Sequence, residues 1–203
     1  MWDERFANEE YAYGTEPNDF LAKHAARIPR GRVLCLADGE GRNGVWLAEQ
    51  GYEVTAVDLS AVGLEKARQL AASRKVSINT IQADLGEFNI SPNEWEGIVA
   101  IFCHLPPTVR HHLYQQAVTG LRPGGVFLLE LYTPKQLAYN TGGPRVVELL
   151  ATLEDLRQDL DGLQFEIAQE VEREIHEGRY HQGYGAVVQV LGLKSDGQEH
   201  AAS

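Results

Sequence analysis

The chain has 203 residues, 43% of them hydrophobic and 8% aromatic, enough apolar material for one sizeable core rather than two. Eighteen Lys and Arg against 29 Asp and Glu leave a net charge of −11, a field that repels phosphate backbones and anionic lipid surfaces and so excludes nucleic acid and membrane as expected partners. No apolar run approaches the roughly 20 residues needed to cross a bilayer, and the charged start Trp2-Asp3-Glu4-Arg5 does not read as a signal peptide. A cytoplasmic protein, monomeric or weakly dimeric, is expected.

In chain order, an aromatic and polar N-terminal segment precedes Asn18, which can cap a helix whose Phe20, Leu21, Ala25 and Ile28 share one face before Pro29 and Gly31 end it. Val33 to Ala37 reads as a strand, the stretch from Asn43 to Gly51 as a helix, and Glu53 to Val57 as a second strand ending on Asp58. Ser60 can cap a helix reaching about Ala72, and Ser77 to Gln82 reads as a third strand. Trp95 to Phe102 then gives a strand, Thr108 to Leu121 a helix, and Gly125 to Leu131 a strand after an Arg-Pro-Gly-Gly turn. Such alternation makes a parallel sheet. Later, Thr152 and Asp155 form a capping box for a short helix. Phe165 to His176 alternates, with Val171, Arg173 and Ile175 on one face, and Ala186 to Leu193 can pair with it as an antiparallel hairpin. The expected architecture is a single α/β domain over residues 1–194, a Rossmann-like open sheet with helices on both faces, mostly parallel with an antiparallel C-terminal hairpin. Residues 1–30 would form a lid and helix, and residues 195–203 a mobile tail.

Cys35 and Cys103 sit inside apolar runs and read as core thiols rather than a disulfide. Chemistry is expected beyond the carboxyl ends of the strands. There Gly39, Gly41 and Gly44 spell G-x-G-x-x-G, and Asp58 lies 19 residues beyond Gly39, close to a dinucleotide fingerprint. A pyrophosphate would want positive potential, yet Asp38 and Glu40 place two carboxylates in the turn, which suits a ligand carrying an amine. Asp58 can accept bonds from ribose hydroxyls, and Asp84 can meet an exocyclic amine of an adenine held between Leu59 and Leu85.

With Val33 to Asn43 as a first motif, Asp58-Leu59-Ser60 as a second, Ala83-Asp84-Leu85 as a third and Leu121 to Gly125 before the fifth strand, the sequence resembles the class I S-adenosylmethionine-dependent methyltransferases. The lid-like Trp2 to Phe6 and Tyr13 to Pro17 are similar to those of the small tellurite-resistance and thiopurine-type members. Cys35 stands where an acid is usual and Ala37 where the first glycine is usual. The resemblance implies S-adenosylmethionine as cofactor. It would sit against Gly39, Gly41 and Asn43, with Asp38 or Glu40 at the ammonium, Asp58 on the ribose, Leu59, Asp84 and Leu85 around the adenine, and Phe102, Cys103 and Tyr13 towards the methionine and sulfonium.

Methyl transfer from a sulfonium needs alignment and exclusion of water more than a dedicated catalytic group. Trp2, Tyr11 and Tyr13 can face a cation from the lid, or simply pack. His104, directly after the fourth strand, is the candidate base if the acceptor is a hydroxyl or amine, and otherwise lines the pocket. Tyr132, Tyr139 and Gly142-Gly143-Pro144-Arg145 can form a substrate wall, and Arg42 either meets substrate or, as favoured, pairs with Asp38 or Glu40. His111 and His112 read as surface, and His176 and His181 as a solvated strand face; no metal site is expected. The expected activity is methyl transfer to a small-molecule acceptor such as a thiol or metalloid. The competitors are a non-catalytic S-adenosylmethionine-binding module and a nicotinamide-dependent oxidoreductase.

Overall fold

The computed structural model describes residues 2–139 and 141–196. Seven strands form one sheet in the order β3-β2-β1-β4-β5-β7-β6. The strands β1 (Arg32–Leu36), β2 (Glu53–Asp58), β3 (Asn79–Gln82), β4 (Trp95–Ile101) and β5 (Leu121–Tyr132) run parallel, whereas β6 (Leu163–Glu177) and β7 (His181–Lys194) are antiparallel partners. The second hairpin strand, β7, is the one that joins the parallel sheet, through β5, and β6 becomes the edge. A parallel strand needs a long crossover, while β7 needs only a tight turn after β6, so the chain can overshoot and fold back.

Alternation along the strands divides the core into two layers. Val33 and Cys35 of β1 pack with Phe20, Leu21 and Leu47 on the side of α2 (Asp19–His24) and α3 (Arg42–Glu49). Leu34 and Leu36 face Leu113, Tyr114 and Leu156 of α5 (Pro107–Gly120) and α6 (Leu153–Asp159). Both cysteines are buried and free, one in each layer. The expected caps are in place: the Asn18 side chain accepts from Leu21 N, Ser60 caps α4 (Ala61–Ser73), and Thr152 and Asp155 bond reciprocally.

Three features depart from the sequence expectation. Trp2–Phe6 forms a short helix, α1, which is too brief to announce itself by periodicity and is held by packing against α4. The hairpin strands run several residues longer than their apolar stretches, up to a turn at residues 178–180, because cross-strand pairing rather than hydropathy carries their tips. Residues 134–138 and 147–149 form single 3-10 turns in the segment beyond β5. Of the expected tail at 195–203, residues 197–203 lie outside the described residues.

Candidate active site

The glycine loop between β1 and α3 owes its composition to close packing. Gly41 has φ +85°, and a Cβ there would lie 2.6 Å from the Ala67 Cβ of α4. At Gly44 a Cβ would come within 2.4 Å of Asp38 Oδ2. That space lets the Asp38 carboxylate accept from Gly44 N (3.2 Å) and cap α3. The helix N-terminus that a dinucleotide pyrophosphate would use therefore carries an acid. Asp38 Oδ2 is buried without a partner, and burial, the main cause, pushes the carboxyl up to about 7.

Asp58 accepts from Gly39 N and Ser60 N, both at 2.8 Å, so its carboxylate is fixed at the end of β2; burial raises its pKa. Asp84, exposed beyond β3, accepts from Gly86 N at 2.8 Å. Leu59 is 53% exposed and Ile81 40%, whereas Leu85 is buried. Acids and uncovered apolar surface thus meet at the ends of β2 and β3.

Glu40 and Arg42 are engaged elsewhere. Glu40 accepts from Ala12 N (2.7 Å) and pairs with Lys66 (2.5 Å), tying the N-terminal segment to α4. Arg42 pairs at 2.5 Å with Glu177, not with Asp38 or Glu40 as the sequence suggested. Their separation of 135 residues made that partner invisible locally. Around this pair lies a buried network: Arg173 donates to Glu130 and Glu177, and Asn18 Nδ2 bridges the same two carboxylates at 2.8 Å each. Asn43 accepts from Asn18 N (2.9 Å) and so joins the same support. Among the N-terminal aromatics, Phe6 packs over Gly39 and Gly63, Trp2 stacks on Phe6 at 5.8 Å, and Tyr11 donates to the Lys66 carbonyl. Tyr139 is on the other side, donating to Glu172.

The ends of β4, β5 and β7 converge on a cluster of rings. Phe102, held at φ +51°, stacks on Tyr132 with centroids 4.7 Å apart, and His181 meets Phe102 at 4.5 Å and Tyr13 at 4.6 Å. A left-handed non-glycine residue in such a place is strain of the sort that functional sites hold. His104 stacks on Tyr132, and its Nδ1 lies 3.0 Å from the Leu149 carbonyl. A carbonyl only accepts, so Nδ1 carries the proton and Nε2 presents a lone pair. Burial pushes His104 down to about 4 and lowers His181 as well, leaving both imidazoles neutral near pH 7. His104 Nε2, His181 Nδ1 and Tyr132 Oη are all buried without a partner. Three orphaned polar atoms in one aromatic cluster describe a ligand site.

His181 corrects the sequence reading: it is 6% exposed and belongs to the site rather than to a solvated face. The signal was present. Continuing the inward alternation of Val171, Arg173 and Ile175 reaches Glu177, whose register partner is His181. His176, by contrast, is exposed, as expected. Cys103 is buried beneath the site, and burial pushes its thiol up to about 12, which removes it as a nucleophile. Among the described residues no group of three or more His, Cys, Asp or Glu could hold a metal ion.

Residues 33–125 match the family model described as a methyltransferase domain. Residues 33–125 thus carry a methyltransferase domain of the class I S-adenosylmethionine-dependent kind, and S-adenosylmethionine is the cofactor that goes with that domain. A Bacillus subtilis (strain 168) protein with a methyltransferase name, YqeM, is 29% identical over 56% of this chain and 47% of its own. The tRNA 5-carboxymethoxyuridine methyltransferase of Escherichia coli K12 is 31% identical over 50% of this chain and 40% of its own. The chain thus spans about half or less of the curated relatives it matches. Among solved structures, TehB from Haemophilus influenzae superposes with a TM-score of 0.72 at 18% identity over 96% of this chain and 66% of that one. A protein studied in the conversion of a disulfide bond into a thioacetal group during echinomycin biosynthesis gives 0.74 at 17% identity, over 97% and 89%. At those identities the likeness is one of fold.

The residues present fit this cofactor. Asp58 and Asp84 with exposed Leu59 offer acceptors and an apolar face to a nucleoside, and the orphaned Asp38 oxygen is a carboxyl atom without its cation. Glu40, committed to Lys66, has no such vacancy.

Proposed function

We propose that this protein catalyses methyl transfer from S-adenosylmethionine to a small-molecule acceptor, a thiol or metalloid nucleophile, in the cytoplasm, as a monomer or weak homodimer. The observation that carries the reading is the cluster of Phe102, His104, Tyr132 and His181, with three buried polar atoms facing no partner. The cofactor supplies an electrophilic methyl on a sulfonium. Phe102 and Tyr13 present ring faces that favour positive charge, and the packed rings exclude water from the line of attack. Tyr132 Oη would donate to the acceptor, and His104 Nε2 would accept the proton of its S–H or O–H.

The relative named for a tRNA substrate raises a second acceptor class. The net charge of −11 opposes it, since that field repels a polyanionic backbone. Titration with S-adenosylhomocysteine and with NADH, followed by assay of S-adenosylhomocysteine release with thiols, tellurite and bulk tRNA, tests the reading. Binding of the first ligand alone and turnover with a small acceptor are expected; tight NADH binding or turnover confined to tRNA would overturn it.

A further inference from the structure

On the outer side of the loop that covers the aromatic cluster lies a cleft of about 620 Å³. Its walls include Gln136, Tyr139, Thr141, Arg145, Arg179 and Gln182; among the described residues no carboxylate lines it, the nearest on these walls being Glu172 behind the Tyr139 hydroxyl. In a chain with 29 Asp and Glu, a cleft bearing two arginines and no acid stands apart. Most arginines here are neutralised: Arg27, Arg32, Arg42, Arg68, Arg74, Arg110, Arg122 and Arg173 each pair with a carboxylate. Arg145 and Arg179 pair with none among the described residues.

The positive charge is concentrated further at Tyr180. The Arg179 guanidinium sits 5.8 Å from the centre of that ring, and the Arg5 guanidinium 5.2 Å from it. Like charges gathered without counter-ions repel, and an anion between them relieves the repulsion; guanidinium forks match a carboxylate in both charge and shape.

The cleft also shares a wall with the site. A Cβ built on Gly142 would lie 3.1 Å from both the Tyr132 hydroxyl and His181 Cδ2, and one on Gly143 would strike the Tyr132 ring at 2.6 Å. Only the thickness of this loop separates the cleft from the ring cluster. The cleft is open while the ring cluster is closed, so a ligand's charged end meets protein first.

We propose that the cleft is the recognition subsite for the acceptor's charged end, and that the acceptor is a small carboxylic acid whose carboxylate lies between Arg145 and Arg179 while its nucleophile reaches the cluster of Phe102, His104, Tyr132 and His181. A carboxylate suits the site better than a phosphate because the −11 field opposes a dianion more strongly. The proposal rests on the methyltransferase reading and adds the substrate class to it.

The test uses three thiols of one length that differ only at the far end: 6-mercaptohexanoate, 6-mercaptohexanol and 6-aminohexanethiol. Each is titrated into the full chain saturated with S-adenosylhomocysteine. The acid is expected to bind at least tenfold tighter than the alcohol, and the amine weakest. Arg145→Gln combined with Arg179→Gln brings the acid to within about twofold of the alcohol and leaves S-adenosylhomocysteine affinity unchanged; both positions are exposed, so the variant folds. Equal binding of acid and alcohol, binding of none of the three, or an acid preference that survives the double substitution overturns the subsite while leaving the cofactor reading intact. Failure of S-adenosylhomocysteine itself to bind sinks the methyltransferase reading, and the subsite with it.

Discussion

His104 and Tyr132 lie ring on ring, centroids 5.7 Å apart and 8° from parallel, at the ends of neighbouring strands. The stack fixes the imidazole plane and the Leu149 carbonyl fixes its tautomer, so Nε2 is aimed and unprotonated without a charged partner. His104→Ala is expected to lower turnover at saturating cofactor by roughly tenfold or more. S-adenosylhomocysteine affinity should change less than about twofold. Turnover equal to that of the parent would remove His104 from the mechanism.

Tyr132 separates a ligand contact from a structural one. Its hydroxyl is buried without a partner, and a structural hydroxyl would have one. Tyr132→Phe keeps the ring stack and deletes the unsatisfied atom, so thermal stability in the absence of acceptor should stay level or rise by about 1 kcal/mol, while acceptor affinity falls. A drop in melting temperature would mean that the hydroxyl supports the fold instead.

Asp38 and His104 act in opposite senses on stability against pH. The Asp38 carboxyl is raised from 3.8 to about 7, so the fold holds its proton where the unfolded chain has lost it. That contribution is full below 3.8 and lost as pH rises through 7. His104 is lowered from 6.5 to about 4; its contribution is full above 6.5 and lost as pH falls through 4. Between about pH 4 and 6.5 the two slopes oppose one another. Asp38→Asn should therefore stabilise the chain most above pH 7 and little below pH 4, and His104→Gln should tilt the profile between pH 4 and 6.5 towards stability that falls with rising pH, the lowered His181 opposing it in part. Melting temperatures measured from pH 4 to 9 check both; a uniform shift in either variant would show that burial does not set that group's protonation.

Local signals announced most of the fold. Asn18, Ser60 and the Thr152–Asp155 box are caps whose effect is decided within four residues, and the structure keeps all of them. The alternation of β6 was legible for the same reason. What escaped depends on partners far along the chain. The α1 helix exists because Phe6 fills space left by Gly39 and Gly63. His181 is inside because the hairpin tip folds against Tyr13 and Phe102. Arg42 chose Glu177 over two nearer acids because Asp38 caps α3 and Glu40 meets Lys66.

The network beneath the site predicts an asymmetric response at Glu130. This residue is fully buried and accepts from Asn18, Arg173 and Gln189. Glu130→Ala strands the Arg173 guanidinium against only Glu177 and Asp19 and should cost about 3 to 5 kcal/mol. Glu130→Gln, which keeps an acceptor, should cost less. Equal losses in a denaturant titration would assign the cost to packing rather than to charge.

Lys66 is the clasp of the N-terminal segment. From α4 its ammonium donates to the Asn8 and Glu10 carbonyls at 2.8 Å each, and to that of Phe6 at 3.4 Å, while pairing with Glu40. Other polar anchors of residues 2–12 include Asp3 on Ser60, Arg5 on Tyr13, Tyr11 on the Lys66 carbonyl, Ala12 N on Glu40 itself and the Ala12 carbonyl, which accepts from Arg179 N at 2.9 Å. Lys66→Met preserves the buried stem but leaves three carbonyls and a buried carboxylate without their cation. Limited proteolysis should then cleave ahead of Asn18 several times faster than in the parent, and S-adenosylhomocysteine should bind more weakly, because α1 packs over Gly39 beside Asp58. Tyr11→Phe, which loses one hydrogen bond and keeps the ammonium over the ring, is the control expected to change neither. Parent-like protection in Lys66→Met would shift the anchoring to the aromatic contacts of Phe6 and Tyr13.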